Sequence, residues 1–243
     1  MRRIAVELPV VASPEEWRKA RVELLREEKA ATALLDRIAE RRRALPMVEV
    51  VEPYVFVGRD GEASLLELFE GRRQLIVYHF MWVGDAGCPS CSVVADNMGH
   101  PAHLGAAETT LVMVSRAPWA DIDRFQQRMG WSTPWYSSQG TGFNYDFHVT
   151  SDPEVAPIEY NYMDQAELEA KGFDYFLTGD NHGLSVFLRD GDQVFHTYST
   201  YGRGCETLVG TYSYLDLTPL GRQLHITEFP HHDSYESAAG HCH

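Results

Sequence analysis

The stretch that decides the fold covers residues 74–92 and reads QLIVYHFMWVGDAGCPSCS. Its first part, 74–82, is a nearly continuous apolar run of strand length, which is typical of a parallel strand buried on both faces. The loop 83–87 then leads to Cys88. Pro89 suits the first position of a helix, because the N–H that proline lacks has no helical partner there. The pattern predicts a buried strand, a short loop and a helix that begins at the cysteines.

The chain after residue 46 alternates between strand-like and helix-like segments. The predicted order is strand 48–57, strand 109–115, helix 120–129, strand 133–138, hairpin strands 184–188 and 194–198 around the turn 190–192, and helix 205–215. Together with the stretch above, this is the element order of a thioredoxin-like fold. The predicted fold class is therefore α/β, with a central mixed sheet and flanking helices over 47–228. Residues 140–183 lack a clear period and are expected to form an insertion before the C-terminal hairpin.

The N-terminal segment, 1–46, is predicted to be a long helical arm. Ser13 is a candidate N-cap that Glu16 completes as a capping box, with Pro14 at the first helical position. The apolar stripe that follows consists of Trp17, Leu24, Ala31, Ile38 and Leu45, widened by Leu25, Leu34 and Leu35. At 1.5 Å per residue the helix is roughly 45 Å long. Such a helix either lies on its own domain or makes a homodimer contact, and both interpretations stay open.

Composition excludes several classes of protein. A formal net charge of -14 argues against nucleic acid as a partner, since phosphate binding needs clustered Lys and Arg. No apolar run reaches the roughly 18 residues of a membrane span, and the first residues lack the apolar region of a signal peptide. No membrane association and a cytoplasmic localisation are therefore expected. Four cysteines do not make a disulfide scaffold, and in a reducing compartment a close pair is more often catalytic or metal-binding.

The chemistry is predicted to centre on Cys88 and Cys91. A helix N-terminus presents unpaired N–H groups and the positive end of the helix dipole, and both favour thiolate over thiol. Because the thiolate is the nucleophile, Cys88 is expected to be activated, with Cys91 one turn into the helix. Two alternatives remain: a zinc site that His79, His100 or His103 would complete, and a pair of buried thiols without chemistry.

Other residues are weaker candidates. Arg116 follows a predicted core strand, at the edge where ligands gather in open α/β sheets. It is therefore a candidate for a contact with substrate or thiolate, and a surface ion pair is the alternative. Cys205 is interpreted as a buried helix residue. The His-rich segment 229–243 is predicted to be a flexible tail, in which Cys242 could bind metal adventitiously.

The chain resembles the bacterial DUF899 family of thioredoxin-like proteins over nearly its whole length. The resemblance is carried by EEW at 15–17, QLIVYHF at 74–80, GCPSCS at 87–92, VSRAP at 114–118, RMGW at 128–131, FNYDF at 143–147, VFHTYSTY at 194–201 and YLDLT at 214–218. It implies a thioredoxin-like fold. The wider similarity to thioredoxins and to peroxiredoxin-like thiol peroxidases implies dithiol–disulfide or peroxide chemistry.

The chain departs from those wider relatives at two places. Thioredoxins have a cis-proline before the strand that faces the cysteines, where this chain has Gly183-Leu184. Peroxiredoxins have Thr or Ser three residues before the peroxidatic cysteine, where this chain has Asp85 before Cys88. The similarity also places His79 near the buried acid of thioredoxins. His79 is thus a candidate proton acceptor for Cys91, or else a packed strand histidine.

These observations predict a thiol–disulfide oxidoreductase with Cys88 as nucleophile and Cys91 as resolving cysteine. Its substrate is expected to be a protein or small-molecule disulfide or thiol, with no bound cofactor and no metal. A thiol peroxidase and a non-enzymatic metal-binding or scaffold protein are the alternatives.

Overall fold

The computed structural model describes residues 8–235. Within that range the α-helices are α1 (Pro14–Arg43), α2 (Pro89–Asp96), α3 (Pro101–Ala106), α4 (Trp119–Met129), α5 (Phe143–Asp146), α6 (Gln165–Ala170) and α7 (Gly210–Leu215). The strands are β1 (Val48–Glu49), β2 (Val55–Gly58), β3 (Gly61–Ser64), β4 (Gln74–His79), β5 (Trp82–Val83), β6 (Ala86–Gly87), β7 (Thr109–Ser115), β8 (Trp135–Ser137), β9 (Thr150–Ser151), β10 (Glu159–Tyr160), β11 (Met163–Asp164), β12 (Gly179–Asp180), β13 (Gly183–Asp190) and β14 (Gln193–Tyr201).

Eight of these strands form one mixed sheet in the order β1-β14-β13-β4-β7-β8-β2-β3. Strand β4 runs parallel to β7, which runs parallel to β8. On its other side β4 pairs antiparallel with β13, the first strand of the β13–β14 hairpin. The central order β7-β4-β13-β14 is that of a thioredoxin-like core, so the predicted fold class is confirmed.

Strand β4 is buried on both faces, as its apolar sequence predicts. Leu75 and Val77 belong to one apolar cluster, whereas Tyr78 and the following Phe80 belong to another. This division follows from the alternation of side chains along a strand. The second cluster contains both cysteines of the 88–91 motif and lies against α2 and α4.

The predicted strand 48–57 is wrong as a single element. Val48–Glu49 pairs with β14 at one edge of the sheet, while Val55–Gly58 pairs with β3 and β8 near the other edge. Pro53 lies between the two segments and has no N–H to donate to a sheet ladder. The chain therefore leaves the sheet at this point and crosses to its opposite side.

The segment between β8 and β13 has an apolar cluster of its own. It consists of Val149, Ile158, Tyr160 and Leu168, together with Tyr201 at the end of β14. Two short ladders, β9–β12 and β10–β11, hold the segment together. This small core explains why the segment shows no amphipathic period in sequence, since its apolar residues come from turns and short strands.

Helix α1 begins as the sequence predicts, with a capping box between Ser13 and Glu16. Its 30 residues include none that is buried. Near its C-terminal end the Arg42 guanidinium lies 5.3 Å from the centre of the Tyr198 ring on β14. Of the two interpretations given above, a helix lying along its own domain is not what the structure shows.

Candidate active site

Cys88 is the N-cap residue of α2, with Pro89 at the first helical position, so the predicted helix start is confirmed. The short β5–β6 hairpin leads into it, and the Cys88 N–H closes this loop by donating to the Met81 carbonyl at 3.2 Å. The Cys88 carbonyl accepts the first helical hydrogen bond, from the Ser92 N–H, and a second bond from the Ser92 hydroxyl. The cysteine is therefore held at a defined point between a hairpin and a helix.

The two thiols of the motif are free, and both are buried. Cys88 retains 8% of its surface exposed and Cys91 only 1%. The Cys91 thiol donates to the Cys88 sulfur and, against the effect of burial, lowers the pKa of Cys88 to about 6. The Cys88 sulfur also lies beside the backbone N–H groups of Cys91 and Ser90, which favour its thiolate. Burial, with the donated hydrogen bond as a second cause, raises the pKa of Cys91 well above its usual range.

Tyr78 is a site residue that the sequence did not reveal. Its side chain is fully buried in the cluster that contains the cysteines. Among residues 8–235 its hydroxyl has no partner of normal hydrogen-bond geometry, and the group it faces is the Cys91 thiol. That contact opposes the effect of burial on the pKa of Cys91. Because β4 is apolar on both sides, no alternation in its sequence shows which of residues 78 and 79 faces the helix.

His79 lies on the opposite face of the sheet from the cysteines. Its ring packs against Phe143 and Phe147, with ring centres 5.5 and 6.1 Å away. The structure therefore does not bring His79 to Cys91 as the predicted proton acceptor, since neighbouring residues of a strand point to opposite faces. The alternative given above, a packed strand histidine, describes its surroundings.

A chain of hydrogen bonds links His79 to the C-terminal hairpin. The Nε2 of His79 lies 2.9 Å from the Ser185 Oγ, which lies 2.8 Å from the Ser199 Oγ. The Nε2 of His196 contacts the same Ser199 Oγ at 2.8 Å. Burial, helped by the nearby His196, lowers the pKa of His79 to about 3, so its imidazole is neutral at physiological pH. This network ties β4, β13 and β14 together.

Arg116 follows β7 directly, as predicted, and is exposed. Its guanidinium lies 4.9 Å from the centre of the Tyr145 ring. It lines a groove of about 400 Å³ beside the hairpin that leads to the dithiol, together with Trp82 and Asp85. The groups that act most on the Cys88 thiol do not include Arg116. The structure thus places it beside the hairpin and not at the sulfur atoms.

Residues 225–235, here named the C-terminal strap, pack over the start of α2. Ile226 and Phe229 lie against the cluster that contains the cysteines. The His231 imidazole donates to the Gly87 carbonyl at 3.0 Å, one residue before Cys88. The predicted flexible tail is therefore wrong for residues 229–235, which are docked on the domain.

Two side-chain contacts hold the end of the strap. The His232 imidazole lies 2.7 Å from the Asp96 carboxylate, and the Arg128 guanidinium on α4 binds the Asp233 carboxylate at 2.7 and 2.9 Å. These contacts link residues more than 100 positions apart in sequence, which is why local patterns did not predict them. Cys242 lies outside the described residues.

Cys205 is buried, and its Sγ lies 3.6 Å from the Thr200 carbonyl. Burial raises the pKa of Cys205 to about 12, so it stays a thiol. Within residues 8–235, no three His, Cys, Asp or Glu side chains come together as a metal-binding group. In the same range no helix has the length and apolarity to cross a membrane.

The fold and the paired thiols define a thioredoxin-like protein with a dithiol at a helix N-terminus. The chain belongs to the DUF899 family, described as bacterial protein of unknown function, whose model matches residues 6–235. The resemblance seen in the sequence is thereby confirmed. No curated protein matches the chain in sequence.

Similar solved structures include peroxiredoxin Q from Xanthomonas campestris, at 11% identity, covering 69% of this chain and 95% of that one, with a TM-score of 0.43. Peroxidoxin BcpB from Mycobacterium tuberculosis is similar at 14% identity, with 69% and 96% covered and a TM-score of 0.43. A secreted disulfide oxidoreductase from the same organism, homologous to DsbE of E. coli, is similar at 13% identity, with 67% and 96% covered and a TM-score of 0.35.

Proposed function

We propose that the chain is a thiol–disulfide oxidoreductase in which Cys88 attacks and Cys91 resolves. The observation that carries this proposal is the opposite shift of the two pKa values. The pKa of Cys88 is lowered to about 6, whereas that of Cys91 is raised well above its usual range. At neutral pH Cys88 is then the thiol that ionises, and Cys91 holds its proton.

In the first step the Cys88 thiolate attacks one sulfur of a substrate disulfide. A Cys88–substrate disulfide forms, and the other substrate sulfur leaves as a thiolate that takes a proton from solvent. In the second step Cys91 loses its proton and attacks the Cys88 sulfur. The Cys88–Cys91 disulfide forms, the second substrate thiol leaves, and the substrate has gained two electrons from the dithiol. A thiol reductant restores the pair by the reverse exchange.

Access to Cys88 limits the kind of substrate that reacts. Only 8% of its surface is exposed, and the C-terminal strap contributes to this cover through the contact of His231 with Gly87. The groove that Arg116 lines lies beside the hairpin that leads to Cys88. A disulfide on an extended chain or a small molecule fits such an entrance better than one on a flat surface.

The test compares Cys88→Ser and Cys91→Ser in reaction with a model disulfide. Cys91→Ser is expected to accumulate a mixed disulfide, because attack persists without resolution, and Cys88→Ser is expected to accumulate none. In the wild-type protein Cys88 should alkylate quickly, with a midpoint near pH 6. Mass spectrometry of the adducts and a pH series of alkylation rates measure both.

Cys91→Ala provides a matched control for the cause of the low pKa. Serine keeps a donor beside the Cys88 sulfur and alanine removes it, so the alkylation midpoint should move to higher pH in Cys91→Ala than in Cys91→Ser. Equal, slow alkylation of both cysteines with a midpoint near that of a free thiol, about pH 8.5, would contradict the proposal. Hydroperoxide reduction by the wild-type protein without disulfide reduction would favour a thiol peroxidase instead.

A further inference from the structure

Helix α1 exposes an apolar stripe that its own domain does not cover. Trp17 is 64% exposed, Leu24 50% and Leu34 48%. A run of large apolar side chains exposed on one surface is unusual for a soluble monomer and marks an interaction surface. Isolated helices are also marginal in water, because most helical stability comes from packing an apolar face. The stripe therefore needs a partner.

The stripe follows a heptad repeat at its a positions and at two of its four d positions. With Trp17 at position a, the next a positions are Leu24, Ala31 and Ile38, and the d positions are Ala20, Glu27, Leu34 and Arg41. Sustained seven-residue spacing fits a second helix packed along the first, because such spacing keeps one seam facing the partner over many turns. A helix of 30 residues provides a seam of about 45 Å.

We infer that this surface pairs α1 with α1 of a second copy of the chain in an antiparallel homodimer. In an antiparallel pair each a position faces a d position of the other helix. We take the register in which the two helices overlap over nearly their whole length. In this register Leu24 faces Leu34 of the second copy, and Ala20 faces Ile38. These two layers are apolar, and the remaining layers of the same register place Trp17 beside Arg41 and Ala31 beside Glu27 of the second copy. A two-fold axis near Lys29 repeats each contact, so the assembly closes as a dimer.

The charges of α1 select the antiparallel direction. Its first turn is acidic, with Glu15 and Glu16, and its last turn is basic, with Arg41, Arg42 and Arg43. Antiparallel helices place the acidic turn of each copy beside the basic turn of the other, whereas parallel helices place like charges together. In the same register Glu23 and Arg37 of the second copy flank the seam as an opposite-charge pair, and both are exposed in the single chain.

A charge-reversal cycle on the full chain tests both the partner and the register. The wild type is expected to be a dimer by light scattering at about 100 µM, a concentration at which a micromolar dissociation constant populates the dimer. Glu23→Arg and Arg37→Glu should each weaken the dimer about tenfold, since each turns two symmetric attractive pairs into repulsive ones. The double variant Glu23→Arg/Arg37→Glu restores the pairs with inverted sign and should dimerise like the wild type.

Lys29→Glu is the matched control, because it changes charge as much as Arg37→Glu does but lies on the outer side of the helix. It should leave dimerisation unchanged. Leu24→Glu/Leu34→Glu should give a monomer whose Cys88 alkylates at the wild-type rate. A monomeric wild type overturns the inference, as does a dimer that survives Leu24→Glu/Leu34→Glu. If the double variant Glu23→Arg/Arg37→Glu does not recover wild-type dimerisation, the proposed register is wrong.

Discussion

The Tyr78 hydroxyl faces the Cys91 thiol in the apolar interior. A single polar contact has a large effect on a pKa there, because no water competes with it. In the proposed second step Cys91 must lose its proton, yet burial raises its pKa well above the usual range. The Tyr78 hydroxyl faces that thiol and opposes the shift. A hydroxyl that donates to a developing thiolate offsets part of the cost of forming a charge away from water.

We expect Tyr78→Phe to slow the second step and leave the first unchanged. The mixed disulfide on Cys88 should decay about tenfold more slowly, as the loss of one hydrogen bond to a charged group implies. Quenched samples analysed by mass spectrometry give the decay rate, and alkylation of Cys88 monitors the first step. Tyr212→Phe removes a hydroxyl from the same apolar cluster and serves as the control. Equal decay in the two variants would leave Tyr78 with a packing role only.

The C-terminal strap packs over the start of α2, and we expect it to limit access to Cys88. Its contacts join it to the residue before the nucleophile, to α2 and to α4. The contacts of the strap with Asp96 and Arg128 are partly exposed, and surface ion pairs contribute about 1 kcal/mol or less each. Contacts this weak are expected to break often enough for the strap to open.

Arg128→Gln is expected to raise the alkylation rate of Cys88 several-fold without changing its pH midpoint. The substitution removes the contact with Asp233, so the strap is open for a larger fraction of the time. Arg124→Gln, on the same helix, is the control, because Arg124 pairs with Asp121 and not with the strap. Rates measured with a small and a bulky alkylating reagent should differ more in the wild type than in Arg128→Gln. Identical rates in both arginine variants would mean that the strap does not gate the thiol.

The stability of the whole molecule should depend on pH through the buried His79. The folded protein holds the pKa of this imidazole at about 3, whereas the unfolded chain protonates it below about pH 6.5. Unfolding then takes up a proton, so the contribution of this group is complete above pH 6.5 and is lost as the pH falls towards 3. One proton corresponds to a slope of about 1.4 kcal/mol per pH unit in the free energy of unfolding.

Urea unfolding between pH 7.5 and pH 5 measures this slope. His79→Gln keeps a donor for Ser185 but does not titrate. Its free energy of unfolding should therefore lack a pH slope that grows from about 0.7 kcal/mol per pH unit at pH 6.5 towards about 1.4 at pH 5. His103→Gln changes an exposed histidine and should behave as the wild type. A slope that is unchanged in His79→Gln would show that this network does not keep the imidazole neutral.

Several features follow from the sequence alone because they depend on residues a few positions apart. The capping box of α1 needs only Ser13 and Glu16, and the start of α2 needs only Cys88 and Pro89. The apolar run that became β4 marks a buried central strand by its composition. These local patterns were enough to predict the thioredoxin-like core and to locate the dithiol within it.

Tertiary structure alone decided which groups surround the dithiol. A strand that is apolar on both faces has no polar alternation, so its sequence does not show that Tyr78 and not His79 faces the helix. The crossing between β1 and β2 depends on which strands pair across the sheet, and the docking of His231 on Gly87 joins residues 144 positions apart. Such contacts form only when the packed core has brought distant segments together, because no local periodicity encodes them.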